Sequence, residues 1–417
     1  MITNFFIFDK LIRNVATFLM GLLTAKSLGV ELFGQYSSIL AVFSMFSALA
    51  LFALEAPALR YFAKDGNEIN NYLVHCVFIR IVMSTIACVF VYLYMAFFDI
   101  HMIGGGVPII IYMFSYSLYF GEYFLRANLN AKLIFFSSLI QLFISFIIKI
   151  IGYYFNLKIE YFVFSSTLDI FLYGFVSYII FLKTTKINSN GKIHLKLNVD
   201  RVKKIILSSL PLVLSGLCMG VYRNYDLVFL GRLDENDFSG LYAMSIKLIS
   251  GCFIIPVVLC NVYLKKLVNS EENYLSNIRS LFIKISVMCL VLYTSYLYVL
   301  IPIVVLVLGN EYKEIFDIGV YVGLFIFNVS LDLFIQNHLI NKKMNGEILY
   351  VSITTTIVTL ILMSILYNIY SHWAVVITML VSYPISVIIN LCRKNWRFEI
   401  KGLFFAIFRG DFNESRK

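Results

Sequence analysis

Charged residues are scarce in this chain. Only 14% of its 417 residues are Asp, Glu, Lys or Arg, whereas 60% are hydrophobic. Soluble domains carry about a quarter charged residues, so this composition excludes an ordinary soluble protein. Apolar runs of about 20 residues recur along the chain, and each is long enough to cross a bilayer as a helix. Because backbone groups in lipid must satisfy their own hydrogen bonds, we predict an all-α polytopic membrane protein.

Other absences narrow the function. The seven cysteines form no CxxC pair and have no ligand-like spacing with histidine, so neither a disulfide framework nor a metal site is predicted. The sequence has no paired carboxylates suited to acid–base catalysis and no glycine-rich loop for phosphate. We therefore predict no enzyme, no catalytic residue and no cofactor. The first 28 residues also lack the pattern of a cleavable signal peptide.

The apolar runs predict about twelve transmembrane helices. An even number places both termini on one side of the membrane, and the lysines and arginines gather at both ends and in the even-numbered loops, above all in the loop 183–204. The positive-inside rule then predicts cytoplasmic termini. The net charge of +10 thus indicates loops facing anionic lipid, not a nucleic-acid partner. The predicted spans are 6–28, 37–57, 76–98, 107–125, 133–155, 161–182, 205–230, 240–264, 281–308, 316–339, 348–369 and 373–391.

Several sequence patterns occur twice and in the same order. LGVELFGQYS (28–37) is echoed by LGRLDENDFSGLYAMS (230–245), FIRI (78–81) by FIKI (282–285), and LRANLNAK (125–132) more weakly by IQNHLINK (335–342). The pattern indicates a duplication, with parallel six-helix repeats that form two pseudo-symmetric lobes. Such an architecture predicts a cavity between the lobes and alternating access by rocking. The predicted parts are an N-terminal lobe (1–190), a basic cytoplasmic linker (191–204) and a C-terminal lobe with a basic tail (205–417).

The repeated turn has a structural interpretation. In each copy, the first glycine is expected to end a helix in a left-handed conformation. The second glycine is expected to let the next helix begin close to its neighbour, and the tyrosine to lie at interfacial depth. These residues are Gly29, Gly34 and Tyr36 in the first copy and Gly231, Gly240 and Tyr242 in the second.

Charges inside the predicted spans are candidate site residues, because a charge facing hydrocarbon is costly. The candidates lean positive. Arg80 and Lys284 occupy matching repeat positions that suit a cytoplasmic mouth, although snorkelling explains them equally well. Snorkelling is also an alternative for Arg13 and the expected behaviour of Lys149. The basic candidates are Arg13, Arg80, Lys149, Arg223, Lys247 and Lys284.

The carboxylates inside the predicted spans have two possible roles. They suit uptake of a proton or sodium ion during transport, or structural hydrogen bonding, so the coupling ion and residue stay open. Arg223 and Asp226, three apart, are expected to share a helix face, and Glu122 and Arg126, four apart, to form a surface pair. The ion-coupling candidates are Glu55, Asp169, Asp226 and Asp332.

The passage AKSLGVELFGQYS resembles the first helix–turn–helix of Wzx-type lipid-linked oligosaccharide flippases, in the polysaccharide transport branch of the MOP exporter superfamily. Lys26 stands where that family often has Arg. The passage YRNYDLVFLGRLDENDFSGLYAMSIKL is similar to the seventh span and turn of the family. Its matching positions are Asp226, Gly231, Gly240, Tyr242 and Lys247.

The resemblance implies a MATE-like fold and a flippase in the bacterial cytoplasmic (inner) membrane. Such a protein moves an undecaprenyl-diphosphate-linked sugar unit to the outer leaflet for O-antigen, capsule or exopolysaccharide assembly. The implied partners are the lipid-linked oligosaccharide and membrane lipids, with a polymerase and a chain-length regulator as further partners. The alternatives are a cation-coupled exporter of small amphipathic molecules and a membrane polysaccharide polymerase. The predicted substrate-binding residues are Arg13, Lys26, Arg80, Arg223 and Lys247.

Overall fold

The computed structural model is mainly helical over the residues that it describes, and these contain no β-strand. Ten of its described helices are long and apolar enough to cross a membrane, which confirms the all-α polytopic class. The described residues are 2–62, 69–98, 106–128, 130–188, 198–232, 236–253, 255–257, 259, 274–341 and 344–393. The ten candidate spans are Phe8–Leu51, Tyr72–Phe97, Ala131–Tyr154, Ile159–Thr184, Val199–Leu230, Asp237–Val257, Arg279–Leu308, Ile315–Gln336, Gly346–Tyr370 and Trp373–Asn390.

The first two predicted spans form one kinked helix, α1 (Ile2–Leu51). Its apolar part is 44 residues long, about twice the length that one crossing needs. The expected connection at 29–36 is helical except at Gly29, which has φ 75° and ψ 178°. That region of backbone conformation is essentially open only to glycine. One glycine therefore replaces a whole loop, and the second span begins earlier than predicted.

Two further breaks were not predicted from the sequence. Helix α1 ends at Leu51, where Phe52 and Ala53 both have φ 48°, a conformation uncommon for residues with a Cβ atom. The chain then enters a short helix, α2 (Glu55–Phe62). The predicted span 107–125 is also divided, which explains why it is absent from the ten candidates. Its pieces are α4 (Val107–Ser115), a 3₁₀ turn (Tyr116–Tyr119) and α5 (Phe120–Ala127).

The chain divides into two compact units, Met1–Gly240 and Leu241–Lys417. The predicted lobe boundary at 191–204 stays a prediction, and residues 191–197 lie outside the described part of the chain. The long helices of the first unit besides α1 are α3 (Ile69–Phe97), α6 (Ala131–Tyr154), α7 (Ile159–Asn188) and α8 (Val199–Leu230). Helix α1 packs mainly against α6 and α8 and also against α3. Helix α9 (Asn236–Cys252) runs across the division.

The two copies of the repeated turn pack against each other in the first unit. A Cβ atom on Gly240 would overlap the carbonyl of Val30, and one on Gly231 would overlap the side chain of Ser38. Gly231 itself has φ −68° and ψ −7°, so the expected left-handed conformation is absent there. Close packing, not backbone freedom, is therefore the reason for glycine at position 231.

The tyrosines of the repeated turn are buried inside the protein. Tyr36 is 3% exposed, and its hydroxyl lies 2.6 Å from Ser166 Oγ on α7. Tyr242 is fully buried and donates to Met379 Sδ at 3.1 Å. Their hydroxyl groups thus find partners within the protein instead of at the membrane interface that the sequence suggested.

An aromatic core surrounds the bend at the end of α1. It brings together α2, α3, α5, α7 and α8, so the bend is packed from several sides. The buried members are Phe52, Leu54, Ala58, Phe62, Cys76, Ile79, Phe120, Tyr123, Phe124, Phe181 and Val213.

In the second unit, a side chain from a neighbouring helix replaces the hydrogen bond that an internal proline removes. Pro384 has no N–H, so the carbonyl of Leu380, four residues earlier, lacks its helical donor. Asn328 Nδ2 donates to that carbonyl at 2.6 Å and to the Met379 carbonyl at 3.3 Å, which joins two helices at the defect. The α-helices beyond α9 in the described part of this unit include α10 (Tyr274–Ser295), α11 (Ile301–Leu308), α12 (Ile315–Gly323), α13 (Phe325–Asn341), α14 (Asn345–Tyr370) and α15 (Trp373–Asn390). A π-helical turn (Tyr296–Leu300) joins α10 to α11, and a 3₁₀ turn (Asn310–Tyr312) lies between α11 and α12.

Candidate functional site

Arg13 lies on the first half of α1 and is held from one side. Its Nη2 donates to both carboxylate oxygens of Asp9, at 2.9 and 3.2 Å, and to the Tyr173 hydroxyl at 3.1 Å. The guanidinium carbon also lies 4.2 Å from the centroid of the Tyr173 ring, within the range of a cation–π interaction. The side chain remains 29% exposed. Arg13 is therefore fixed in place without being enclosed.

Asp9 is not among the candidates predicted from the sequence, although it lies within the predicted span 6–28. It is 6% exposed, and the Ser138 hydroxyl on α6 donates to its carboxylate. The available signal was the Asp–Arg spacing of four, which places both side chains on one helix face. The structure thus adds Asp9, Ser138 and Tyr173 to the predicted Arg13.

Arg80, on α3, has a different environment. Its side chain is fully buried. Nε donates to the Leu51 carbonyl at 3.3 Å, Nη1 to the Tyr116 carbonyl, and Nη2 to the Tyr123 hydroxyl at 3.0 Å. The Leu51 carbonyl ends α1 and the Tyr116 carbonyl lies in the 3₁₀ turn, so Arg80 satisfies acceptors at two helix breaks.

The predicted substrate contact of Arg80 is not supported by this geometry, because every nitrogen of the guanidinium is used internally. Snorkelling is excluded for the same reason. Lys284, at the matching repeat position, is exposed, so the two positions do not share an environment. We therefore assign Arg80 a structural role.

Glu122 and Arg126 do not form the expected surface pair. Glu122 is 4% exposed, and its carboxylate is paired with Arg126 Nη2. Arg126 Nη1 binds Glu55 Oε1 at 2.8 Å, and Glu55 is exposed at the start of α2. Burial alone would lower the pKa of Arg126, but the nearby carboxylates of Glu122 and Glu55 act in the opposite direction and leave it raised. The ion-coupling candidate Glu55 is thus already neutralised by an arginine.

Lys149 does not snorkel. It lies within α6, is 3% exposed, and its ammonium group pairs with Asp169 Oδ2 on α7. The other carboxylate oxygen, Oδ1, is buried and has no hydrogen-bond partner among the residues that the structure describes. The ion-coupling candidate Asp169 therefore has a cationic partner that the sequence did not reveal, since the two residues are on different helices.

The remaining candidates are distributed over both units. Lys26 and Arg223 are exposed and Lys247 is half-buried. Asp226 is 5% exposed, and its Oδ1 accepts from the Leu227 backbone amide at 2.8 Å. The remaining carboxylate candidate is also buried and bonded on its own helix: Asp332 accepts from Gln336 Nε2 at 2.7 Å. Within the described ranges, no group of three or more His, Cys, Asp or Glu side chains is placed to hold a metal ion.

The solved structures that are similar to this chain in fold include a flippase and two multidrug transporters. One is described as lipid II flippase MurJ in an inward closed conformation, with TM-score 0.69, 13% identity, and coverage of 98% of this chain and 93% of that chain. Another is a multidrug resistance MATE family transporter of the MOP superfamily in an inward-facing conformation, with TM-score 0.65, 14% identity, and coverage of 94% and 95%. The third is the MATE multidrug transporter DinF-BH, with TM-score 0.56, 14% identity, and coverage of 94% and 93%. The predicted MATE-like transporter fold is confirmed.

The sequence itself matches a known family. No curated protein matches the chain, but the family model described as polysaccharide biosynthesis protein matches residues 5–259. That range contains both copies of the repeated turn and the helices that carry Arg13, Arg80 and Asp226. The predicted resemblance to polysaccharide-transport proteins of the MOP superfamily is confirmed, and the chain belongs to the polysaccharide biosynthesis protein family.

Proposed function

We propose that this protein is a flippase that moves an undecaprenyl-diphosphate-linked oligosaccharide from the cytoplasmic to the outer leaflet of a bacterial inner membrane, by alternating access. One observation carries the proposal. A chain of the polysaccharide biosynthesis family has a fold similar to that of a lipid II flippase. A lipid-linked sugar fits both findings, because it is a precursor of polysaccharide and also a lipid that must be moved between leaflets.

The chemistry of this cargo calls for cations inside the membrane. The polyprenyl tail stays in lipid, whereas the diphosphate needs positive partners in a polar environment. Arg13, Lys26, Arg223 and Lys247 are the proposed contacts. Guanidinium and ammonium groups form strong charge-assisted hydrogen bonds with phosphate. Arg80 is no longer among them, because each of its three nitrogens donates to a protein group and its side chain is fully buried.

Coupling to a proton or sodium ion is part of the proposal for two buried carboxylates, Asp226 and Asp332, which are 5% and 6% exposed. Asp169 is held by Lys149 and Glu55 by Arg126, so neither is retained as an ion-coupling residue. Asp226 and Asp332 remain candidates. A polymerase and a chain-length regulator are the proposed downstream partners, because the flipped unit must be polymerised at the outer leaflet.

The second candidate function is export of small amphipathic molecules. The observation in its favour is the fold similarity to multidrug MATE transporters. The predominance of basic residues among the intramembrane candidates argues for an anionic cargo instead. The two functions differ in phenotype, because loss of a drug exporter changes drug sensitivity and leaves the surface polysaccharide intact.

The test is genetic. Deletion of the gene in its own host should remove surface glycan and cause lipid-linked oligosaccharide to accumulate in the inner leaflet. Complementation with Arg223→Ala or Lys247→Ala should restore protein level but less glycan than the native gene. Unchanged glycan after deletion, together with increased drug sensitivity, would favour the exporter. Unchanged glycan in both variants would remove Arg223 and Lys247 from the site.

A further inference from the structure

The hydrogen bonds of Arg13 use only part of its guanidinium group. An arginine carries five N–H donors, of which one is on Nε and two are on each terminal nitrogen. Within the part of the chain that the structure describes, every hydrogen bond of Arg13 comes from Nη2. Nε and Nη1 therefore donate to none of the described residues, and these two nitrogens form the free edge of a side chain that is 29% exposed.

Arg80, which has a structural role in the same unit, differs from Arg13 in how many of its nitrogens donate to protein groups. All three nitrogens of Arg80 donate to protein acceptors, and the residue is fully buried. Arg126 is a second contrast. It is about as exposed as Arg13, at 37%, but it is shared between two carboxylates, Glu122 and Glu55. Arg13 differs from both, since it has one carboxylate partner and a free edge.

Asp9, the carboxylate partner of Arg13, lowers the cost of placing the arginine in the membrane. A lone cation in a membrane span is costly to insert, and one partner reduces that cost. Asp9 is held by the Ser138 hydroxyl on α6, and the Tyr173 ring on α7 lies against the guanidinium. Three helices thus fix one end of the group, so that binding a ligand at the other end orders little additional structure.

We infer that Asp9, Ser138 and Tyr173 form a socket that presents the free edge of Arg13 to the diphosphate of the lipid-linked cargo, and that Asp9 is a positioning residue for this contact. The inference rests on the proposed function and deepens it. Phosphate oxygens fit the open donors because guanidinium groups bind phosphate through planar, charge-assisted hydrogen bonds. The ligand class is a polyprenyl diphosphate, recognised through its headgroup.

A charge swap separates this socket from an ion pair that serves only membrane insertion. Asp9→Arg combined with Arg13→Asp keeps both charges and their spacing of four. It moves the cation to position 9, which is 6% exposed. If the pair only balances charge, the swap preserves both stability and ligand binding. If Arg13 binds the diphosphate, the swap preserves the stability of the protein and removes its binding of the ligand.

The measurement is the affinity of the purified full-length protein in phosphatidylcholine nanodiscs for undecaprenyl diphosphate. We expect Arg13→Gln and the swap to bind about tenfold or more weakly than the native protein, because hydrogen bonds between charged groups are lost. Arg126→Gln is the matched control and should bind as the native protein does. Thermal melting of each variant shows whether a loss of affinity follows from unfolding.

The outcomes separate the inference from the proposed function. No binding of undecaprenyl diphosphate by the native protein would overturn the proposed function. Native binding that is unchanged in Arg13→Gln, or restored by the swap, would overturn the socket and leave the function standing. Inorganic pyrophosphate should compete with the lipid for the native protein. Displacement of the lipid by phosphatidylglycerol would overturn the assignment to a diphosphate headgroup.

Discussion

At the scale of single residues, Arg13 and Arg80 have opposite roles that their sequence context distinguishes only in part. Both lie within long apolar helices, and of the two only Arg13 has a carboxylate, Asp9, four residues away. Only tertiary structure shows that the partners of Arg80 are two backbone carbonyls from helix breaks, which no sequence pattern had predicted. The identity of the charged candidates was thus predictable, but their partners on other helices were not.

Replacement of Arg80 with Met should destabilise the protein. It would leave the Tyr116 carbonyl and the Tyr123 hydroxyl without their arginine donor, at a cost of about 1–3 kcal/mol for each unsatisfied group, and the Leu51 carbonyl with only the 3.4 Å bond from the Leu54 amide. We expect a lower melting temperature in detergent and a lower yield, with partial recovery in Arg80→Lys. Melting like that of the native protein, together with lost transport, would instead return Arg80 to the substrate site.

The buried Lys149–Asp169 pair makes a second prediction at this scale. Lys149→Met alone should destabilise the protein by about 3–5 kcal/mol, because it leaves a carboxylate without its cation. Asp169→Leu added to it should recover much of that loss. A double-mutant cycle on thermal stability measures the coupling between the two. Additive effects would show that the pair contributes no interaction energy.

At the scale of elements, the long helices were predictable and their interruptions were not. Runs such as Ala131–Tyr154 and Trp373–Asn390 are apolar over their whole length, so lipid alone dictates a helix. The end of α1 at Leu51 and the 3₁₀ turn at Tyr116–Tyr119 contain neither proline nor glycine. Both breaks contribute a carbonyl group to Arg80. Hydrophobic periodicity along the sequence does not reveal packing of this kind.

At the scale of elements, the kink of α1 at Gly29 has the clearest test. Gly29→Ala should destabilise the first unit by about 1–3 kcal/mol, because alanine must adopt φ 75° and ψ 178°. Gly346→Ala is the matched control, since that glycine lies in a helix with nothing within 4 Å of an added Cβ. It should be neutral or slightly stabilising. Equal melting temperatures for Gly29→Ala and the native protein would show that the kink is not required.

At the scale of the whole molecule, the transporter fold was predicted from composition, repeated turns and family resemblance together. The orientation in the membrane is still a prediction, and it follows from the basic residues of the even-numbered loops. Reporter fusions at residue 190 and at the C-terminus should be cytoplasmic, whereas a fusion at residue 101, after the third predicted span, should lie on the outer side. Alkaline phosphatase activity at either of the first two positions would contradict this orientation.

The central claim is that this chain carries a lipid-linked sugar across the membrane. Its most direct test is reconstitution of the purified protein in vesicles with a fluorescent undecaprenyl-diphosphate oligosaccharide, followed by measurement of the fraction of headgroup that becomes accessible on the opposite face. The account predicts translocation with the native protein and its loss with Arg13→Gln. Vesicles in which the native protein leaves the headgroup on its original face, while it transports a cationic dye, would contradict the account.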